Sequence, residues 1–82
     1  MSRPILTLYI RTYCHLCDDM RSAITALQPR FGFDLEEVDV DDDVELEARL
    51  GKKVPVLMRG DQEICHHFFD VAAFTRNLER DP

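Results

Sequence analysis

Two cysteines three positions apart, Cys14 and Cys17, are the residues whose types and spacing most directly predict chemistry in this sequence. Residues three apart on a helix are neighbours, so the two sulfurs can approach within bonding distance across one turn. A thiolate at one cysteine attacks a substrate disulfide, and the second cysteine then releases the mixed disulfide. The spacing therefore predicts thiol–disulfide exchange, although close cysteine pairs also bind metals.

The elements around the pair predict different roles for the two sulfurs. Residues 5–10 form a short apolar, β-prone run that predicts a buried strand. The apolar residues that follow recur at helical spacing: Leu16, Met20, Ala23, Ile24 and Leu27. Pro29 and Gly32 are predicted to close this helix. Cys14 then lies at the helix start, where free N–H groups and the helix dipole lower its pKa, and Cys17 lies one turn further in and is more buried.

The middle of the chain predicts a strand and a short helix. Residues 33–40 form a second apolar segment, which we interpret as a strand. Asp42 and Glu45 have the spacing of a capping box, and they predict a helix that ends near Leu50. Gly51 follows as the stop signal.

The last third predicts a hairpin followed by a helix. Residues 54–58 are interpreted as a buried strand with Pro55 near its start, where proline is tolerated. Gly60 and Asp61 predict the turn, and residues 63–66 the returning strand. Asp70 is predicted to cap the final helix. The apolar stripe and hydrophobic staple of that helix are predicted from Phe69, Val71, Phe74 and Leu78.

These elements together predict an α/β fold with the order β-α-β-α-β-β-α. The first strand-helix-strand unit requires parallel strands joined by a right-handed crossover. The hairpin adds two antiparallel strands. We therefore expect a mixed four-stranded sheet with three helices distributed over both faces.

Length and composition limit the number of domains, the classes of partner and the compartment. The 82 residues allow one small domain over residues 1–82, and 45% hydrophobic residues predict a globular fold. No apolar run approaches the roughly 18 residues of a membrane span, and the first residues lack the apolar core of a secretory signal. The net charge of −6 argues against a nucleic-acid partner. The odd count of three cysteines favours the cytoplasm over a disulfide-stapled secreted protein.

Three further residues, Arg11, Val54 and Pro55, are predicted to contact substrate. Arg11 could supply positive potential for the Cys14 thiolate or for an acidic thiol substrate, or it could be a solvated surface side chain. Asp18 and Asp19 oppose the first effect, because their charge raises the pKa of a nearby thiol. A cis Val54–Pro55 bond would leave the backbone before Pro55 facing outward, where it could pair with an extended substrate.

The acidic segment, residues 34–47, and the Cys-His-His segment, residues 65–67, each leave two interpretations open. Residues 34–47 are interpreted as a solvated face and a helix start. The alternative is a metal site built from Asp41, Asp42 and Asp43, which lack the alternating ligand spacing and central glycine of a calcium loop. Cys65 is either a buried core cysteine or an accessory thiol at the same end of the sheet as Cys14. His66 and His67 are surface residues, or they join the cysteines in a zinc site that matches no common finger. We predict no bound metal or cofactor.

The order of elements, the cysteine pair and Val54-Pro55 together resemble the thioredoxin fold in its short glutaredoxin form. The resemblance extends from about Ile5 to Leu78 and is greatest to small bacterial glutaredoxin-like proteins. It implies that Cys14 is the nucleophile, that Cys17 is the resolving cysteine and that Pro55 is a cis-proline. It also implies a sheet that brings Pro55 beside the cysteine pair.

Two differences separate the sequence from typical glutaredoxins. Those proteins carry Pro-Tyr between the cysteines, where this chain has His15-Leu16, and this dipeptide tunes the thiol pKa and the redox potential. They also carry a Gly-Gly pair and an acid after the last strand, where this chain has residues 65–70 without glycine. Asp70 could replace the acid, but the role of helix cap is preferred.

The expected function is that of a small monomeric thiol–disulfide oxidoreductase. Its partner would be a protein or a low-molecular-weight thiol or disulfide, with glutathione as one candidate. The alternatives are a metal- or iron–sulfur-binding protein and an interaction module that keeps the fold without redox activity.

Overall fold

A computed structural model describes residues 3–79 of the chain. The strands and helices are β1 (Ile5–Ile10), α1 (His15–Phe31), β2 (Asp34–Asp39), α2 (Val44–Leu50), β3 (Val56–Arg59), β4 (Gln62–His66) and α3 (Val71–Glu79). A single 3₁₀ turn, Val40–Asp42, precedes α2. The order β-α-β-α-β-β-α is the one that the apolar periodicity predicts.

The four strands form one mixed sheet in the order β2-β1-β3-β4. Strand β1 is parallel to β2 and antiparallel to β3, and β3 is antiparallel to β4. Tyr9 lies opposite Val56, and Val56 lies opposite His66. The end of β1, the start of β3 and the end of β4 therefore meet at one edge of the sheet.

Helices cover both faces of the sheet, as the apolar patterns predict. Helices α1 and α3 pack on one face, where the buried residues are Leu6, Leu8, Met20, Ile24, Phe33, Leu57, Cys65, Phe74 and Leu78. Helix α2 covers the other face through Val40, Leu50 and Val56, with Tyr9 and Val54 packed against them. The alternation of Leu8 and Tyr9 between the faces follows from the pleat of a strand. No helix within residues 3–79 combines the length and apolarity needed to cross a membrane.

Helix α1 passes through Pro29, so the prediction that this residue closes the helix is wrong. The helix ends at Phe31 and is capped by Gly32, which has φ 66° and donates its N–H to the Gln28 carbonyl at 2.9 Å. Proline is costly in a helix interior because it lacks the N–H and its ring clashes with the preceding turn. Here the extra residues place the Phe31 ring edge-on to Phe74, with centroids 5.3 Å apart. This contact favours continuation of the helix.

Helix α2 begins one residue later than predicted, so the proposed capping box of Asp42 and Glu45 is wrong. Asp43 is the cap, and its Oδ1 accepts the N–H groups of Glu45 at 2.8 Å and Leu46 at 3.2 Å. Asp42 belongs to the preceding 3₁₀ turn. That turn is anchored by Val40, which is fully buried, and it delays the helix.

The cap and staple of helix α3 are confirmed, whereas Val71 of the predicted apolar stripe is exposed. The Asp70 carboxylate accepts the Ala73 N–H at 3.0 Å. Phe69, immediately before the cap, packs on Phe74 with ring centroids 5.4 Å apart. These two contacts fix the angle at which the chain leaves β4 and enters the helix.

Candidate active site

The cysteine pair lies at the junction between β1 and α1. Cys14 is the N-cap of α1, with extended φ −109° and ψ 107°. The sulfurs of Cys14 and Cys17 are joined as a disulfide, with the Cα atoms 5.2 Å apart. The Cys17 N–H points at Cys14 Sγ at 3.1 Å. When the pair is reduced, this N–H and the positive end of the helix stabilise a thiolate at Cys14.

The two sulfurs differ in burial as the helix placement predicts. Cys14 is half-buried, whereas only 1% of Cys17 is exposed. An incoming disulfide therefore reaches Cys14 more easily than Cys17. Cys17 lies behind Cys14, inside the protein and within bonding distance of its sulfur.

The carboxylates of Asp18 and Asp19, whose charge opposes a thiolate at Cys14, lie beside basic side chains. Asp18 accepts a hydrogen bond from Arg21 at 2.9 Å, and the same guanidinium donates to Glu37 of β2 at 2.8 Å. Asp19 lies 3.7 Å from Nε2 of the exposed His15. The Arg21 guanidinium reduces the negative potential that Asp18 imposes on the helix start.

Arg11 is paired with acids on the α2 side of the sheet. Its guanidinium donates to Glu47 at 2.6 Å and lies 3.3 Å from Asp41. The hydrogen bond to Glu47 is the main reason that the pKa of Arg11 is raised, and Asp41 adds to it. Thr12 binds Asp39 nearby at 2.9 Å. The segment before Cys14 is therefore tied to the acidic segment, and a substrate-binding role for Arg11 stays a prediction.

The acidic segment uses several of its carboxylates within the protein. Asp39 accepts the Asp41 N–H at 2.9 Å, Asp43 caps α2, and Asp41 pairs with Arg11. Across residues 3–79, no three His, Cys, Asp or Glu side chains are grouped so that they could hold a metal. Among these residues, the structure groups neither Asp41, Asp42 and Asp43 nor the cysteines with His66 and His67 as ligands of one metal.

Val54 and Pro55 lie at the sheet edge that carries the cysteine pair. Their peptide bond is cis, and Pro55 is buried. Val56 pairs with Tyr9, so continuing this register places Pro55 and Val54 beside the segment that leads from β1 to Cys14. Within the described part of the chain, no hydrogen bond uses the backbone N–H or carbonyl of Val54. These groups are available to an extended ligand.

Cys65 occupies a position in the core. Cys65 belongs to β4 and lies opposite Leu57 of β3. It is buried, and its thiol is free. Burial is the main cause that raises the pKa of this thiol, and the Asp70 backbone N–H counteracts part of the effect. These surroundings favour the interpretation of Cys65 as a core residue, whose thiol packs as a small apolar group.

The two histidines have different surroundings. His66 binds Glu63 at 2.7 Å, and Glu63 also pairs with Lys53. His67 adopts φ 65°, and its Nε2 lies 2.9 Å from the Lys52 carbonyl. The contact between His67 and Lys52 spans 15 positions, and no local pattern in the sequence could have predicted it.

Comparisons with known proteins agree with this geometry. The family model described as a glutaredoxin-like domain (DUF836) matches residues 5–79. No match was found among curated proteins. The structure of protein Ne2328 from Nitrosomonas europaea is 32% identical, with a TM-score of 0.84 over 94% of this chain and 93% of that one.

Two other solved structures extend the comparison. Protein XcR50 from X. campestris is 37% identical, with a TM-score of 0.69 over 94% of this chain and 99% of that one. Thioredoxin 1 from Thermosipho africanus is 22% identical, with a TM-score of 0.64 over 93% and 91% of the two chains, and this likeness establishes the thioredoxin-like fold. By its fold and by the match over residues 5–79, the chain belongs to the glutaredoxin-like domain family.

Proposed function

We propose that this protein is a thiol–disulfide oxidoreductase in which Cys14 is the nucleophile and Cys17 the resolving cysteine. The observation that carries the proposal is the asymmetry of the pair. The Cys14 sulfur is partly exposed at a helix start and receives the Cys17 N–H, while Cys17 is buried within bonding distance of it. This asymmetry suits one sulfur to attack and the other to resolve.

The exchange proceeds in two steps that together move two electrons. The Cys14 thiolate attacks one sulfur of a substrate disulfide, and the other substrate sulfur leaves as a thiolate. Cys17 then loses its proton and attacks Cys14 Sγ. The Cys14–Cys17 disulfide forms, and the second substrate sulfur leaves as a thiolate. The substrate is reduced and the cysteine pair is oxidised.

Val54 and Pro55 are proposed to bind the substrate beside the reactive sulfur. The free N–H and carbonyl of Val54 match the hydrogen-bonding groups of an extended polypeptide. Arg11 is proposed to contribute positive potential at the same edge. Its two acidic partners reduce that contribution and direct the guanidinium toward α2.

The wider setting of the activity is also a proposal. We propose a cytoplasmic monomer that exchanges disulfides with a protein or a low-molecular-weight thiol such as glutathione. We propose that it acts without a cofactor, a nucleic acid or a membrane. The negative charge and the dithiol chemistry of the chain support this setting.

The midpoint potential of the cysteine pair tests the proposal. The protein is equilibrated in glutathione redox buffers, the thiols are trapped, and the oxidised fraction is measured. We expect a reversible two-electron couple in the wild-type protein that is lost in C17S. The variant C65S is the matched control and should retain it. A wild-type protein without a reversible couple between Cys14 and Cys17 would contradict the proposal.

A further inference from the structure

His67 occupies a backbone conformation that is uncommon for a residue other than glycine. It directly follows β4, and its φ of 65° lies in the left-handed region. For a residue with a side chain this conformation is unfavourable because Cβ crowds the following carbonyl oxygen, whereas glycine adopts it freely. A side chain at this position therefore needs compensation from its contacts.

Two hydrogen bonds from His67 supply that compensation. Its backbone N–H donates to the Pro55 carbonyl at 2.8 Å. Its ring Nε2 lies 2.9 Å from the Lys52 carbonyl, and since a carbonyl only accepts, Nε2 carries the proton. Lys52 lies two residues before Val54 and Pro55 one residue after it. A single residue thus holds the chain on both sides of Val54.

We propose that His67 is a positioning residue that holds residues 52–55 so that the Val54 backbone is presented to an extended polypeptide substrate. This inference rests on the proposed oxidoreductase function and specifies how the substrate is bound. His67 transfers no proton or electron. It acts through the conformation of a segment in which the Val54 N–H and carbonyl are left to bind a ligand.

A purely structural role predicts a different response to substitution. H67G removes the cost of the left-handed conformation and keeps the backbone N–H bond to the Pro55 carbonyl. It removes the hydrogen bond from the ring to the Lys52 carbonyl. H67N also tolerates the left-handed region, and its side chain is too short to replace the ring. If His67 only stabilised the fold, H67G would be neutral in activity. If His67 positions Val54, H67G should bind polypeptide poorly even where the fold is as stable as before.

The test compares two substrates with dithiothreitol as the reductant. Insulin supplies disulfides within a polypeptide, and bis(2-hydroxyethyl) disulfide has no peptide backbone. In H67G and H67N we expect the KM for insulin to rise about fivefold, as for the loss of one ordered hydrogen bond. The kcat and KM for the small disulfide, and the midpoint potential, should stay unchanged. D61A is the control, since Asp61 is exposed in the turn between β3 and β4, at the opposite end of these strands from residues 52–55.

An insulin KM that is unchanged in H67G would overturn the inference, and so would an equal loss of activity on both substrates. A wild-type protein that reduces neither substrate would contradict the proposed function instead. Backbone order parameters of Lys53 and Val54, measured by NMR, test the positioning without any activity. The order parameters should fall in H67G and stay at the wild-type value in D61A, and unchanged values in H67G would also overturn the inference.

Discussion

Cys14, Cys17 and Cys65 are chemically identical side chains with three different environments. Cys14 lies at a helix start and is partly exposed, Cys17 lies one turn further in, and Cys65 is enclosed by the core. Reactivity of a thiol follows its thiolate fraction and its access to reagent. We expect both quantities to be highest at Cys14, because it lies at the helix start and is the most exposed of the three cysteines.

Alkylation of the reduced protein near neutral pH should label Cys14 first. Cys17 is protected by burial, and Cys65 is protected by burial and by its raised pKa, which keeps it as the thiol. The order is measured by timed iodoacetamide labelling and mass spectrometry. In denaturant the three cysteines should react at similar rates. Faster labelling of Cys65 than of Cys14 in the folded protein would refute this assignment.

At the scale of elements, contacts beyond each helix decide where it starts and ends. The buried Val40 holds the 3₁₀ turn and shifts the start of α2 to Asp43. The edge-to-face contact of Phe31 with Phe74 favours the extension of α1 past Pro29. Local sequence predicts that these helices exist, and packing against the sheet sets their limits.

The substitution Asp43→Ala should lower the free energy of unfolding by about 1 kcal/mol, because the N–H groups of Glu45 and Leu46 lose their acceptor. Asp42→Ala is the matched control, since Asp42 is the neighbouring exposed aspartate and does not cap α2. Its effect should stay within about 0.5 kcal/mol. Urea denaturation measures the free energy of unfolding of both variants. A larger loss in the Asp42 variant would show that α2 begins where the capping-box pattern places it.

At the scale of the whole molecule, Phe74 joins three parts of the chain. Its ring contacts Phe31 at the end of α1, Phe33 just before β2 and Phe69 in the loop after β4. Phe74 itself is fully buried. A small domain has little surplus stability, so a residue with this many partners supports the whole fold.

Phe74→Ala should reduce the free energy of unfolding by about 3–5 kcal/mol, because it removes buried apolar surface and leaves a cavity. Val71→Ala on the same helix is the control, since Val71 is exposed and the change should be small. Thermal unfolding followed by circular dichroism compares the two. A loss below about 1 kcal/mol for Phe74→Ala would mean that the core collapses around the gap.

The sequence by itself determined the order of the elements, the sheet type and the asymmetry of the cysteine pair. These features depend on neighbours within one turn or one strand, such as the three-residue spacing of Cys14 and Cys17 and the apolar stripe around Ile24. The cap at Asp70 was predictable for the same reason. Short-range periodicity and capping chemistry are written into consecutive residues.

Only the tertiary structure decided which distant groups meet. Arg11 pairs with Glu47, 36 positions away, and His67 reaches Lys52 across the edge of the sheet. Such contacts depend on strand order and register, which place β1, β3 and β4 side by side. A periodic pattern identifies the buried face of each element, but it carries no information about the residue that lies opposite.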